Sequence, residues 1–485
     1  MKRSLGWRNL GLNFGLKAVM TGVVLVAAAG RLHAQSADAL IDKLVDKGIL
    51  SEKEAQDLRD ESDQNFTSAF QSKMGMPDWV SGYKLSGDFR GRVEQYSSQN
   101  SAQSDRVRFR YRLRVGLIVS MFDHLEVGFR LGSGDVTGGG TTGSPLSDSS
   151  TFQGDFTKKS VYIDAAYGKW SPINSDGWQA SITVGKMDSP FSVTPMILDV
   201  DLTPEGVAVQ TSHDINDKHK VSLNGAVFVL NDQSLNGQPA SEQSPYIWGG
   251  QFLWTAKWAP KFSTTAGVGA FNIQNPQQLM VAGGNNPPPS VNYVPLVNVG
   301  NTRTLASIGP SQIYSVFVPQ DSFTPVFADV SATYTLDTFP LYSGAFPITF
   351  TGEFLNNVAT AHNNYGYWAG IKFGKSGTKR TWDISYRYEY LESDAQYDQL
   401  VDDDNVAFDP GNLGNPSYAS YGLYGGTNIK GHLITFNYSF TDSLTFSFTC
   451  YINDLISLQN ISPTPLVPGS SSSAIHFMAD MNWKF

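Results

Sequence analysis

Residues 105 to 119 read DRVRFRYRLRVGLIV, with arginine at every second position (Arg106, Arg108, Arg110, Arg112, Arg114) and Val107, Phe109, Tyr111, Leu113 and Val115 between them. A helix turns about 100° per residue and would scatter these arginines around most of its circumference. An extended strand instead puts all of them on one face and the apolar set on the other. The stretch is therefore a strand with two opposed faces. Five like charges cannot enter an apolar core without partners. The charged face meets either bulk water on a soluble sheet, or a water-filled lumen with the apolar face then against lipid.

The N-terminus bears on that choice. Lys2, Arg3, Arg8 and Lys17 precede an apolar run from Ala18 to Ala29, and Leu32-His33-Ala34 follows. A basic start, a short apolar core and a small residue before the cut are the parts of a secretory signal peptide, so residues 1–34 are expected to be a leader cleaved after Ala34. The run is shorter than the roughly 20 residues that a spanning helix needs. Removing the leader takes away five basic residues and no acid, leaving 30 Lys+Arg against 44 Asp+Glu, a formal charge of −14. An exported, acidic chain is a poor match for nucleic acid. The single cysteine, Cys450, excludes an intramolecular disulfide framework and a cysteine-based zinc site.

Residues 36–64 carry the one helical pattern, with an apolar stripe of Leu40, Ile41, Leu44 and Val45, a C-cap at Gly48 and a capping box from Ser51 to Glu54. The segment 35–66 is expected to be a periplasmic helical region serving oligomerisation or contact with the cell wall. Residues 67–82, polar and containing Gly75 and Pro77, read as a linker, and 83–485 as the main domain.

From Tyr83 onward, segments of about ten residues with alternating apolarity are separated by turns or loops, a pattern typical of transmembrane β-strands. Sixteen segments can be counted, from 84–95 through 474–485. Connections after odd-numbered segments are long (133–157, 274–322, 392–427), whereas those after even-numbered ones are short, as at Pro260 or Thr441-Asp442. This alternation is expected of an antiparallel β-barrel with both ends in the periplasm, where turns are short and external loops long. A content of 46 Gly, 29 Phe, 21 Tyr and 10 Trp with only 16% charged residues suits strands and turns better than helices. The fold class is therefore all-β, a transmembrane antiparallel barrel of about sixteen strands with a short N-terminal helical region.

The faces then follow from energy. An arginine facing lipid at the midplane costs roughly 2 to 4 kcal/mol, so five would cost up to roughly 10 to 20 kcal/mol, comparable with the whole stability of a domain. The arginines face the lumen. Outward apolar faces recur at Leu444, Phe446, Phe448, Cys450 and Ile452, and at Trp382, Ile384, Tyr386, Tyr388 and Tyr390. Trp170, Trp178, Trp254, Trp258 and Trp483 fall near strand ends, where aromatic girdles belong.

Counting back by twos from the C-terminus gives Phe485, Trp483, Met481, Ala479, Phe477 and Ile475. This resembles the last strand of the Gram-negative outer-membrane porin superfamily. Within it the chain is most similar to the branch that sets a short helical segment, here DKLVDKGILSEKEAQDLRD, before the barrel. The resemblance implies an outer-membrane location among lipid and lipopolysaccharide, a homotrimer, recognition of Phe485 by the barrel-assembly machinery, and no enzymatic activity or cofactor. It also implies that the loop after the fifth strand, MDSPFSVTPMILDVDLT, folds inward. Asp188, Asp199 and Asp201, with Glu205 just after, would then oppose the basic wall. Gly87 and Gly91, on the outward face of the first strand, are expected to permit close subunit packing.

Inward Arg90 and Arg92 on the first strand and Arg130 on the third extend the arginine wall, with Asp88, Glu94 and Glu126 as the acids beside it. Guanidinium groups bind carboxylate and phosphate bidentately and line anion pores. The expectation is a porin for passive diffusion of small hydrophilic solutes, preferring anions. The alternatives are a pore whose arginines are neutralised by loop acids, a plugged barrel anchored to the cell wall, and a dedicated phosphate or sugar channel. A sugar channel needs an inward aromatic track, and the inward faces read here carry few aromatics. His124, His213, His219, His362, His432 and His476 are scattered, with no Ser/His grouping of the kind catalysis requires. The run Asp402-Asp403-Asp404, near Asp398 and Asp409, reads as a solvated acidic loop with no metal assigned to it.

Overall fold

The computed structural model describes residues 55, 77–98, 105–135, 143–232, 244–282, 293–294, 297–308, 314–408, 423–457 and 471–485. The leader (1–34), all of the helical segment (35–66) except Ala55, and most of the linker (67–82) lie outside the described residues. The chain divides into two compact units, Met1–Ser81 and Gly82–Phe485.

Sixteen long strands form one antiparallel sheet: β1 (Val80–Ser98), β2 (Arg106–Met121), β3 (Leu125–Gly134), β4 (Ser160–Ser175), β5 (Trp178–Lys186), β6 (Glu205–Asn216), β7 (His219–Val229), β8 (Tyr246–Ala259), β9 (Phe262–Gln274), β10 (Pro325–Leu336), β11 (Phe346–Asn357), β12 (Tyr365–Gly374), β13 (Trp382–Leu391), β14 (Ile429–Ser439), β15 (Leu444–Leu455) and β16 (Ala474–Lys484). Each of the sixteen expected segments overlaps one of these strands. β1 pairs with both β2 and β16, the latter in a register from Asp88 opposite Lys484 to Ser98 opposite Ala474, so the sheet closes and leaves no edge.

Short turns gather at the end where β1 begins and β16 stops. Asp176 and Gly177, both at positive φ (54° and 76°), make the two-residue β4–β5 turn in the I′ pattern that matches strand twist. At that same end Phe485 exchanges backbone hydrogen bonds with Gly87, at 2.8 and 3.0 Å. Its ring lies where a Cβ on Gly87 would be. Of the two glycines expected to allow subunit packing, Gly87 is therefore already covered from within the chain, while Gly91 has open space before it.

The alternation in β2 sorts as the energy required. Val107 and Phe109 are 54% and 53% exposed on the outer wall, whereas Arg110 is 8% exposed inside. Trp170, Trp178, Trp258 and Trp483 are exposed close to the short-turn end, forming part of an aromatic girdle.

At the long-loop end the lumen is partly filled. The described parts of loops 187–204, 275–324 and 392–428 build an apolar core against β7–β13, with Phe191, Met196, Ile197, Phe323 and Tyr397 packed with Phe228, Phe271, Phe327 and Leu355. The expectation of few inward aromatics is therefore incorrect for this half. β9 gives the physical reason: its inward positions are small or polar near the short turn (Ser263, Thr265) and become apolar (Phe271, Ile273) where loops cover them. An inward side chain beneath a loop is in a protein core, and only one facing water must be polar.

Candidate channel constriction

The inward face of β1–β3 carries the arginine row, and each guanidinium is placed by strand register. On β2, Arg112 and Arg114 converge on Asp88 of β1, at 3.0 and 2.8 Å. Arg108 bonds Glu94 directly through Nε, and Arg110 lies 3.7 Å from the same carboxylate. Glu94 is wholly buried, with Arg92 at 4.0 Å and His476 at 3.7 Å on its other side. Arg92 donates twice to Asp480 on β16, at 2.9 and 3.0 Å, in the bidentate geometry that fits guanidinium to carboxylate. The Arg108 guanidinium also donates to the Tyr96 hydroxyl at 2.7 Å and stacks 5.1 Å over that ring.

Loops complete the pairing. Loop 187–204 enters the lumen and crosses it. Gln210 on β6 donates to Pro190 O (3.1 Å), Gln251 on β8 bonds the Ser192 backbone in both directions (2.8 and 2.7 Å), and the Thr194 hydroxyl bonds Glu353 on β11. Its far end then reaches β2, where Asp201 lies 3.2 Å from Arg112 and 3.7 Å from Arg114. Asp148, from loop 135–159, is 3.6 Å from Arg114. Asp404, from loop 392–428, is 3.3 Å from Arg92. Arg130 bonds Asp164 and also Asp188, the latter at 2.7 Å. Among the described residues, Arg90 has no carboxylate within ion-pair range, and its Nη2 donates to the Ser149 hydroxyl at 2.7 Å. Arg106 opens β2 at the long-loop end of the row.

The four acids expected to oppose the wall therefore separate. Asp188 and Asp201 meet it. Glu205 stands exposed at the start of β6, 3.2 Å from Lys186. Asp199 turns away and is buried with Asp402 beside the half-buried Asp403, all three carboxylates having oxygens within 4.8 Å of one another. Burial first, and then mutual repulsion, hold Asp199 and Asp403 well above the usual carboxylate range. Asp404 is held low, at about 2, because Arg92, His476, Arg90 and Arg110 outweigh its burial. The run 402–404 is not a solvated loop. A β-hairpin of Val406–Phe408 with Leu423–Gly425 follows it inside the same loop, and Asp402 accepts from the Tyr451 hydroxyl at 2.9 Å. Three oxygens at this spacing are a donor set of the kind a hard cation accepts.

Asp164 is an acid that strand alternation misses. The pairing of β3 with β4 shifts register between Arg130 and Leu131, a bulge that turns Asp164 and Ala165 inward together. Asp148 is pushed up to about 7, by burial and then by Asp164 and Asp201 close by.

Two cavities flank loop 187–204. On the short-turn side, about 570 Å³ is lined by polar groups including Lys169, Gln179, Gln210 and Asn224. On the long-loop side a second cavity holds about 850 Å³. Phe191 lines both, its ring edge-on to Phe271 with centroids 4.8 Å apart.

Residues 95–282 match the model of a family described as "Putative porin". Among solved structures, the high-pH structure of Pseudomonas putida OprB is similar at 10% identity, covering 83% of this chain and 94% of that one with a TM-score of 0.46. OmpT of Vibrio cholerae in its trimer form is similar at 10% identity, covering 83% and 99%, TM-score 0.40. A mutant of Rh. blastica porin is similar at 8% identity, covering 83% and 100%, TM-score 0.36. No curated protein matches the chain. The resemblance to outer-membrane porins read from the sequence is borne out by the family match and the closed sixteen-strand barrel. With it come a Gram-negative outer-membrane location and a channel, not an enzyme.

Proposed function

We propose that this porin-like barrel of the Gram-negative outer membrane is a passive channel for small hydrophilic solutes, with an eyelet that is charge-compensated. The observation that carries the reading is Asp201: a loop anchored on the opposite wall brings its carboxylate within ion-pair distance of Arg112 and Arg114. Guanidinium groups on one side and carboxylates on the other set up a transverse field, which sorts solutes by size and dipole. The anion preference expected of an unopposed arginine row is correspondingly weak, resting chiefly on Arg90, which has no carboxylate partner among the described residues.

The conduction path we infer runs from the larger cavity past Phe191 into the polar one. Homotrimer assembly, recognition of Phe485 by the assembly machinery and cell-wall contact through 36–64 follow from the porin resemblance as parts of the same proposal. Liposome swelling with graded sugars tests the channel. Uptake that falls with solute size is expected, and no uptake of any solute would favour a plugged cell-wall anchor. Unboiled gel samples are expected to run as a trimer, and migration as monomer would count against that assembly.

A further inference from the structure

The polar cavity on the short-turn side is built by strand alternation. Lys169 and Ser171 on β4, Ser181 on β5, and Lys220, Ser222 and Asn224 on β7 point inward together, because alternate residues of a strand share one face. Pro190 and Phe191 bound the cavity on the side of loop 187–204. No carboxylate lines it, whereas the arginine row is met by Asp88, Glu94 and Asp201. Among the described residues Lys169 has no acid within ion-pair range and no hydrogen-bond partner. Its cross-strand neighbour Glu126 instead accepts from the Tyr167 hydroxyl at 2.9 Å. Lys220 has one partner, the exposed Asp214 at 3.6 Å. The hydroxyls of Ser171, Ser181 and Ser222 and the side-chain amide of Asn224 bond no described residue, and none of them is sealed from the lumen. Open donors and acceptors around an unpaired ammonium are hydrated in the free channel, and a solute with matching groups takes the place of that water. The volume, about 570 Å³, falls within the range of small-molecule sites.

We propose that this cavity is a subsite for small polyhydroxylated oxyanions of the sugar-acid type. The carboxylate meets Lys169, and the hydroxyls meet the serines and Asn224, whose groups both donate and accept. Acetate uses the charge alone and a neutral polyol the hydroxyls alone. An organic cation meets two lysines with no acid in the lining to hold it. Salt screens an open charge in a wide lumen, so the subsite discriminates among solutes and leaves KCl selectivity to the eyelet. The inference rests on the channel reading above and deepens it by naming a solute class.

The test uses the purified full chain in planar bilayers in KCl at fixed ionic strength, with gluconate, glucitol or acetate added to both sides. Saturable reduction of the current by gluconate is expected, at a half-blocking concentration about tenfold below those of glucitol and acetate, the size of one charge-assisted hydrogen bond. Lys169→Gln should raise the gluconate value about tenfold on the same ground and leave that of glucitol where it was. Lys257→Gln, at the end of β8 and outside the cavity lining, should move neither. An unchanged gluconate value in Lys169→Gln overturns the subsite, as does an equal loss in Lys257→Gln, because the lumen as a whole would then supply the attraction. Glucitol blocking as tightly as gluconate in the parent overturns the solute class. A KCl current with no saturable block by any of the three overturns the subsite alone, and absence of any KCl conductance overturns the channel with it.

Discussion

The two halves of the barrel wall solve the same problem in opposite ways. In β1–β3 the inward face is charged and its loops supply carboxylates. In β7–β13 the inward face becomes apolar at the long-loop end and its loops supply Phe191, Met196, Ile197 and Tyr397. Both halves are thereby closed against bare water, one by ion pairs and the other by packing. The same loop serves both, since 187–204 buries Ile197 in the apolar core and presents Asp201 to the arginines. A barrel lumen is thus organised by what covers each patch, and residue type follows the cover.

The contrast can be broken most severely at Glu94. It is wholly buried, with Arg92, Arg108 and Arg110 around it, and Glu94→Gln should lower barrel stability by roughly 3–5 kcal/mol, as expected when one partner of a buried ionic group is removed. Urea unfolding followed by heat-modifiable gel mobility would read it, and a change below about 1 kcal/mol, the scale of exposed pairs, would mean that water screens the cluster. The matching change in the apolar half is Phe327→Ala, which should cost about 3–5 kcal/mol while leaving ion selectivity where it was. A shift in selectivity there would mean that the two halves are not separable.

A smaller effect is expected from pH. Asp199 and Asp403 are held above the usual carboxylate range in the docked loop, so the docked state binds more protons than a released one. Docking is therefore firmest at low pH and weakens as pH rises above the ordinary carboxylate value toward the raised ones. Current fluctuations recorded from pH 5 to 9 should increase with pH, and Asp199→Asn should flatten the trend; the opposite slope would refute the assignment. The smallest effect is expected at Glu205, whose pair with Lys186 is exposed. Glu205→Gln should change stability by less than about 1 kcal/mol.

Much of this was legible from period-two alternation, because a lipid-facing strand must be apolar on every second residue whatever else it does. That constraint yields the sixteen strands and the direction of Arg108, Arg110, Arg112 and Arg114. It does not reach the loops. Asp404 meets Arg92 across 312 positions of sequence, and nothing in the run Asp402-Asp403-Asp404 distinguishes buried acids from solvated ones. Asp164 was hidden for a different reason, since one bulged residue reverses the parity by which faces are read. Phe228 and Phe271 were missed because their cover comes from distant loops.

The most direct test is the zero-current potential in a tenfold KCl gradient for the parent channel and two variants, Arg112→Gln with Arg114→Gln and Asp88→Asn with Asp201→Asn. A compensated eyelet predicts a small potential in the parent, a shift toward cation selectivity in the first variant and a shift of opposite sign in the second. Strong anion selectivity in the parent that survives loss of both carboxylates would contradict it, because the arginines would then act as an unopposed row.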